Sequence, residues 1–475
     1  MLQCCVFYMC SAVVLLGIRK KMKAHRLNAI APVDGRYASQ TEELRDYFSE
    51  AALMRYRVWV EIEYFIALCA LGQKGMPALT PANITALREI VMGFGDNDVE
   101  QIKDQEAILN HDIKAVEYFL REKFIDLGLH HAVEFIHFGL TSQDINNTAI
   151  PASLRDAEDH VLEPMMESVI QLLTEQSASW SEVTMLARTH GQPASPTSLG
   201  KEWYVFVERL NEQLIRLQDI PHSAKLGGAT GNFNAHFAAY PQIDWPSFAD
   251  EFVNVTLGLR RSRFTTQIEH YDNLAARLDA YRRINTIFID FTRDVWSYIS
   301  LGYFRQKTVA GEIGSSAMPH KVNPIDFENA EGNLGLANAI LSHLSEKLPV
   351  SRLQRDLTDS TVLRNLGVPL AHMLIAYKSI LRGLNKLMLD EVKISSDLDQ
   401  NWAVVAEAIQ TVLRRENYPH PYEALRQLTR GKSKILQSDI HSFIDSLELS
   451  ASVKDELKSF SPSNYRGVDL LSSEW

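Results

Sequence analysis

Between Asp272 and Leu301 the chain runs for about thirty residues without a proline or a glycine, and Gly302 closes the run. Within it Leu274, Leu278, Tyr281, Phe288, Phe291, Val295 and Tyr298 recur at steps of three, four and seven, the period of one helix face. At about 1.5 Å per residue this is one continuous helix of roughly 45 Å. Helices of that length exceed the globular mean and belong in elongated bundles. Trp203, Phe206, Leu210, Leu214 and Leu217 repeat the pattern over 199–220. Apolar runs with period-two alternation are scarce, which argues against a parallel-sheet fold. The expectation is an all-α protein.

A chain of 475 residues exceeds a single hydrophobic core. The pattern divides into a non-core extension over 1–23, an N-terminal helical domain over 24–131, a long-helix bundle over 132–384 and a helical C-terminal domain over 385–475. Pro151, Pro193, Pro196, Gly227-Gly228, Gly311, Gly314, Pro319 and Pro324 are expected to interrupt helices.

The net charge of −11 argues against non-specific binding to nucleic acid or an anionic membrane, while leaving room for basic groups that converge locally. Of the four cysteines, at 4, 5, 10 and 69, three fall in the first ten residues, so the body carries no disulfide framework, as in a reducing cytosol. Residues 4–18 are mostly apolar and are followed by Arg19, Lys20, Lys21 and Lys23. That run is shorter than the roughly 20 residues a bilayer requires. Its positive charge follows the apolar stretch, whereas a secretory signal carries it in front. The expected reading is an upstream mis-assigned start, with Met22 as the initiator.

Four segments combine residue types that carry chemistry. Residues 311–324 read Gly-Glu-Ile-Gly-Ser-Ser-Ala-Met-Pro-His-Lys-Val-Asn-Pro: a glycine-rich loop with Ser315 and Ser316, then Lys321 and Asn323, before a helical pattern resumes. A serine beside a helix N-terminus, with a lysine six residues on, can have its alkoxide stabilised by dipole and charge. His190, in Thr189-His190-Gly191-Gln192-Pro193, sits between a segment read as helical and a Gly/Pro break, and suits a general acid near neutral pH or, taken alone, a structural role. Asn110-His111-Asp112 and Thr141-Ser142-Gln143-Asp144 offer a second histidine and donors suited to a small carboxylate, or equally helix caps. Arg355, Ser360 and Arg364, with Arg36-Tyr37 near the start, suit bidentate capture of phosphate or carboxylate, or equally surface salt bridges.

At these residues the sequence resembles the fumarase/aspartase superfamily of lyases, and within it the adenylosuccinate lyase family of the longer bacterial type. The resemblance runs from about Asn28 to the end, and the 314–324 pattern marks the superfamily. The Arg36, His111 and Arg355 segments point to this family rather than to fumarase, aspartase or argininosuccinate lyase. It implies three helical domains and a homotetramer on a multi-helix core, with active sites shared between subunits. The implied reaction is β-elimination of fumarate from adenylosuccinate, giving AMP, and from SAICAR, giving AICAR. It implies no metal or organic cofactor, nucleotide substrates, no nucleic-acid or membrane partner, and a cytoplasmic enzyme. By the resemblance Ser315 is the base, His190 protonates the departing nitrogen, and His111 orients or assists. Lys321 and Asn323 stabilise the developing dianion; Thr141, Ser142 and Gln267 hold the succinyl or base portion. Arg36, Tyr37, Arg355, Ser360 and Arg364 hold phosphate and ribose, with Asn110 and Asp112 in the substrate pocket. A nucleotide-binding loop at Gly227-Gly228-Ala229-Thr230-Gly231 lacks the strand and lysine that a phosphate loop needs.

Overall fold

The computed structural model describes residues 28–307, 318, 322–429 and 434–471. The helices used below are α1 (Glu50–Ala70), α2 (Pro81–Met92), α3 (Asp96–Leu109), α4 (Asp112–Asp126), α5 (Ser142–Ala157), α6 (Glu163–Ser179), α7 (Leu199–Gln218), α8 (Asp272–Ser300), α9 (Ile325–Lys347), the short α10 (Thr358–Leu363), α11 (Gly367–Lys386) and α12 (Glu391–Asp399). Strand among the described residues is confined to three two-stranded pairs. They are β1 (Thr184–Thr189) with β2 (Gln192–Ser198), a parallel pair of Ser223–Ala224 with Arg260–Arg261, and Phe304–Gln306 with Leu387–Leu389. The all-α expectation holds, and α8 and α7 coincide with the two periodic runs that predicted them. No helix among the described residues is long and apolar enough to cross a membrane.

The chain packs as two compact units. One comprises residues up to Glu163, Ile220–Asp279 and Leu336–Ile375; the other comprises Pro164–Asp219, Ala280–Gly335 and Ala376 onward.

The first unit is organised on α1. Ser49 starts this helix by accepting the Ala52 N–H on its Oγ at 3.1 Å. Met54, Val58, Ile62 and Phe65 face one apolar cluster, which α2, α3 and α4 complete through Leu87, Ile102, Val116 and Phe119. Tyr56, Val60, Tyr64 and Leu68 face a second cluster with Ile145, Trp245 and Phe252. A helix apolar on two faces is buried on both. Each fully buried Ile, Leu or Phe contributes about 2 kcal/mol.

Pro151 lies inside α5 rather than ending it, so the expected interruption does not occur. A proline in mid-helix leaves the carbonyl four residues back unpaired. Here the Asn147 carbonyl accepts the Lys225 N–H at 3.3 Å instead, and the helix continues. After α5 a single π-helical turn over Glu158–Leu162 leads into α6.

In the second unit α7 buries Trp203, Phe206, Leu210, Leu214 and Leu217 along one stripe. Phe291 of α8 meets the Trp203 ring edge-on at 5.7 Å and the Phe206 ring at 5.2 Å. A separate C-terminal cluster gathers Trp402, Ile409, Leu413, Ile440 and Ile444.

Candidate active site

His190 occupies the tip of a β-hairpin. The segment before it is a strand, contrary to the helical reading, because Thr184–Thr189 pairs antiparallel with Gln192–Ser198. His190 and Gly191 form a two-residue loop with φ of 54° and 73°, the left-handed pair that a tight hairpin requires. Pro193 and Pro196 in β2 disguise the strand in sequence, since proline donates nothing to a ladder. The hairpin is anchored from below. Arg188 Nη2 donates to Asp397 Oδ2 of α12 at 2.7 Å, and Tyr303 Oη donates to the same oxygen at 2.5 Å. The imidazole itself is exposed.

Ser315 and Lys321, with Ser316 and His320, lie outside the described residues. Asn323 is half-buried just ahead of α9.

In the first unit Asn110-His111-Asp112 forms the corner between α3 and α4. Asn110 ends α3 at φ 50°, and His111 caps α4 with Nδ1 accepting the Lys114 N–H at 3.2 Å. A ring that accepts on Nδ1 carries its proton on Nε2 when neutral, and so presents a donor on its other edge. Asp112 Oδ1 accepts the Ile113 N–H at 2.9 Å. Its Oδ2 accepts from Arg57 Nη2 at 2.8 Å and from Arg364 Nη2 at 3.1 Å. Burial pushes the Asp112 carboxyl up, but Arg57, the Ile113 N–H and Arg364 together outweigh it and hold the group below the usual carboxylate range. Arg364 Nη1 also donates to Glu50 Oε2 at 2.8 Å.

These side chains wall a cleft with about 680 Å³ of empty space, lined among others by Arg57, Asp112, Gln143, Asn146, Ser360 and Arg364. Three expected residues, Asp112, Ser360 and Arg364, therefore converge. Arg36, Tyr37, Asn110, His111, Thr141, Ser142, Gln267 and Arg355 do not line it. Arg355 joins it indirectly, donating from Nη2 to Ser360 Oγ at 3.0 Å. Behind Ser360, the buried Asp359 accepts the Ser360 N–H at 2.7 Å and the Tyr271 hydroxyl at 3.1 Å. Asn147 Nδ2 of α5 donates to that hydroxyl at 2.7 Å. Asn147 Oδ1 accepts the Glu269 N–H at 2.8 Å, which ties down the loop carrying half-buried Gln267. Arg36 is exposed, with its guanidinium 5.9 Å from the Tyr37 ring centre.

Thr141 and Ser142 open α5, so the cap reading of that pair is present. Their position is set by Asp144, which is wholly buried. Its Oδ2 accepts the Thr141 N–H at 2.8 Å. Its Oδ1 accepts the N–H groups of Gly227 and Gly228 at 2.8 and 3.1 Å and the Lys225 ammonium at 2.7 Å. The Gly227-Gly228 amides are thus committed to a carboxylate within the fold and unavailable to a phosphate.

Sequence reasoning missed Arg57, Glu50 and Asn146, while Gln143 and Asp144 stood in a segment it had read as donors or helix caps. Arg57 had one signal: with Arg55 it interrupts the otherwise largely apolar Leu53–Val60, where a charge on a buried face needs a partner.

Residues 35–339 match the family model for lyases, and residues 351–466 match that of the adenylosuccinate lyase C-terminal region. The chain is 57% identical to the adenylosuccinate lyase of Dictyostelium discoideum over 461 residues, covering 94% of this chain and 98% of that one. It is 49% identical to that of Escherichia coli K12 over 448 residues, covering 94% and 98%. Among solved structures it resembles 3-carboxy-cis,cis-muconate lactonizing enzyme from Pseudomonas putida, with a TM-score of 0.72 at 21% identity over 89% of this chain and 93% of that one. It also resembles fumarate lyase from Mesorhizobium sp. BNC1, with a TM-score of 0.72 at 18% identity over 90% and 95%. At those identities the structural likeness concerns the fold. The near-full-length identities concern the family: this chain is a lyase that belongs to the adenylosuccinate lyase family.

Proposed function

We propose that the protein eliminates fumarate from adenylosuccinate, giving AMP, and from SAICAR, giving AICAR. The observation that carries this reading is the 57% identity to a named adenylosuccinate lyase across 98% of that protein's length.

The chemistry assigns each group a task. The hydrogen removed lies beside a carboxylate, so its loss builds an aci-carboxylate dianion. Ser315 is the base; a neutral serine is too weak and needs nearby positive charge to become an alkoxide. Lys321 and Asn323 stabilise the dianion. As it collapses, the carbon–nitrogen bond breaks, the electron pair leaves on nitrogen, and His190 protonates that nitrogen. His111, with Nδ1 engaged by the Lys114 N–H, orients the substrate through Nε2–H. Thr141, Ser142 and Gln267 hold the succinyl or base portion, while Asn110 and Asp112 help form the pocket. Arg36, Tyr37, Arg355, Ser360 and Arg364 hold the nucleotide phosphate and ribose. Neither metal nor organic cofactor enters this scheme.

The reading includes a cytoplasmic homotetramer of three-domain subunits (24–131, 132–384 and 385–475), with each active site drawing residues from several subunits. Two experiments test it. Incubation with adenylosuccinate yields equal amounts of AMP and fumarate; folded protein that yields neither would contradict the reaction. Mixing inactive His190→Ala with inactive Ser315→Ala protein restores activity if sites are shared, and no recovery after subunit exchange contradicts sharing.

A further inference from the structure

We infer that Arg57 is a positioning residue for Arg364, acting through Asp112. The inference rests on the reading of Arg364 as a phosphate- and ribose-holding group.

Arg57 is 2% exposed on α1, so it acts through its neighbours. Its Nε donates to Asn146 Oδ1 of α5 at 3.0 Å, and its Nη2 donates to Asp112 Oδ2 at the start of α4 at 2.8 Å. A planar guanidinium held by acceptors on two different helices has a fixed orientation. Its remaining terminal nitrogen, Nη1, is buried and finds no acceptor among the described residues. An unpaired buried donor is costly, so packing alone does not account for an arginine here. A fork that must serve two acceptors does.

The shared oxygen carries the effect outward. Asp112 Oδ2 accepts from Arg57 and from Arg364, and Arg364 is held from its other side by Glu50. Charges therefore alternate Arg57, Asp112, Arg364, Glu50 along the cleft wall. Arg57 is the buried end, and Arg364, with a side chain 42% exposed, is the cation of the row that a ligand reaches. The two cations balance the two carboxylates. Without Arg57, two carboxylates would confront one guanidinium, and the wall would repel the anion that Arg364 is there to attract.

Two variants separate positioning from bulk stability. Arg57→Lys keeps the charge and loses the fork; Asn146→Ala keeps the ion pair and frees the Nε side of the fork. For Arg57→Lys we expect the Kd of AMP by calorimetry and the KM for adenylosuccinate to rise about tenfold, with kcat within about twofold and inhibition by fumarate unchanged. Asn146→Ala shifts the same quantities in the same direction by less. AMP binding unchanged in both folded variants overturns the inference, and so does an equal weakening of AMP and fumarate. Where Arg57→Lys does not fold, Asn146→Ala decides. Wild-type protein that binds AMP but turns over no adenylosuccinate defeats the proposed reaction, and the AMP comparison still judges Arg57.

Discussion

Asp144 Oδ1 lies 2.7 Å from Lys225 Nζ, and neither side chain is exposed to solvent. Burial pulls the Lys225 ammonium down from its ordinary range and Asp144 opposes that shift. The pair fastens the start of α5, with Thr141 and Ser142, to the Gly227-Gly228 loop.

Lys225→Met therefore strands a buried carboxylate and should lower unfolding free energy by about 3–5 kcal/mol, measured by urea titration. Asp144→Asn added to it should recover part of that loss. A single-variant loss below about 1 kcal/mol would mean that the carboxylate is satisfied by amides alone.

His190 sits at φ 54°, where a non-glycine residue is strained by about 1 kcal/mol. His190→Gly relieves that strain while removing the proposed acid. The expected result is unchanged or slightly higher thermal stability with kcat lower by about a hundredfold or more. Retained activity would remove His190 from the chemistry.

His236 is 1% exposed, and its Nε2 lies 2.9 Å from the Tyr64 hydroxyl, which donates onward to the Phe138 carbonyl at 2.7 Å. Burial, helped by Lys225 and opposed by Asp144, pushes its pKa down to about 4. In the unfolded chain the value is about 6.5. The unfolded state thus binds a proton between these values that the folded state refuses. The resulting stability is complete above about pH 6.5 and is lost progressively as pH falls to about 4. Urea titrations at pH 7.5 and pH 5 should show a larger drop for the wild type than for His236→Gln. Equal drops would show that other groups set the acid sensitivity.

Pro151 belongs in α5 because the Lys225 N–H serves the carbonyl that the proline leaves unpaired. A proline in mid-helix ordinarily costs about 3 kcal/mol. Pro151→Ala should gain less than about 1 kcal/mol, since the cost is already offset. A gain near 3 kcal/mol would show a strained, uncompensated helix.

What the sequence revealed was local. The Asp272–Ser300 helix announced itself through an unbroken period, and α7 through a stripe headed by Trp203. The long-range compensations stayed hidden. Nothing near Pro151 betrays Lys225, 74 residues away, and nothing near Arg57 betrays Asp112 or Asn146. The hairpin under His190 was masked by two prolines whose missing donors mimic a loop. Asp112, Ser360 and Arg364 were legible as chemistry-bearing types, but only the fold sets them around one cleft. Ser315 and Lys321 rest on motif and resemblance, because both lie outside the described residues.

The most direct test of the central claim is the ultraviolet absorbance change on adding adenylosuccinate to purified wild-type protein, run beside Ser315→Ala. Steady conversion by the wild type and near-complete loss in a variant of equal thermal stability is the predicted result. Conversion that survives Ser315→Ala would remove the proposed base, and no conversion by folded wild type would contradict the reaction itself.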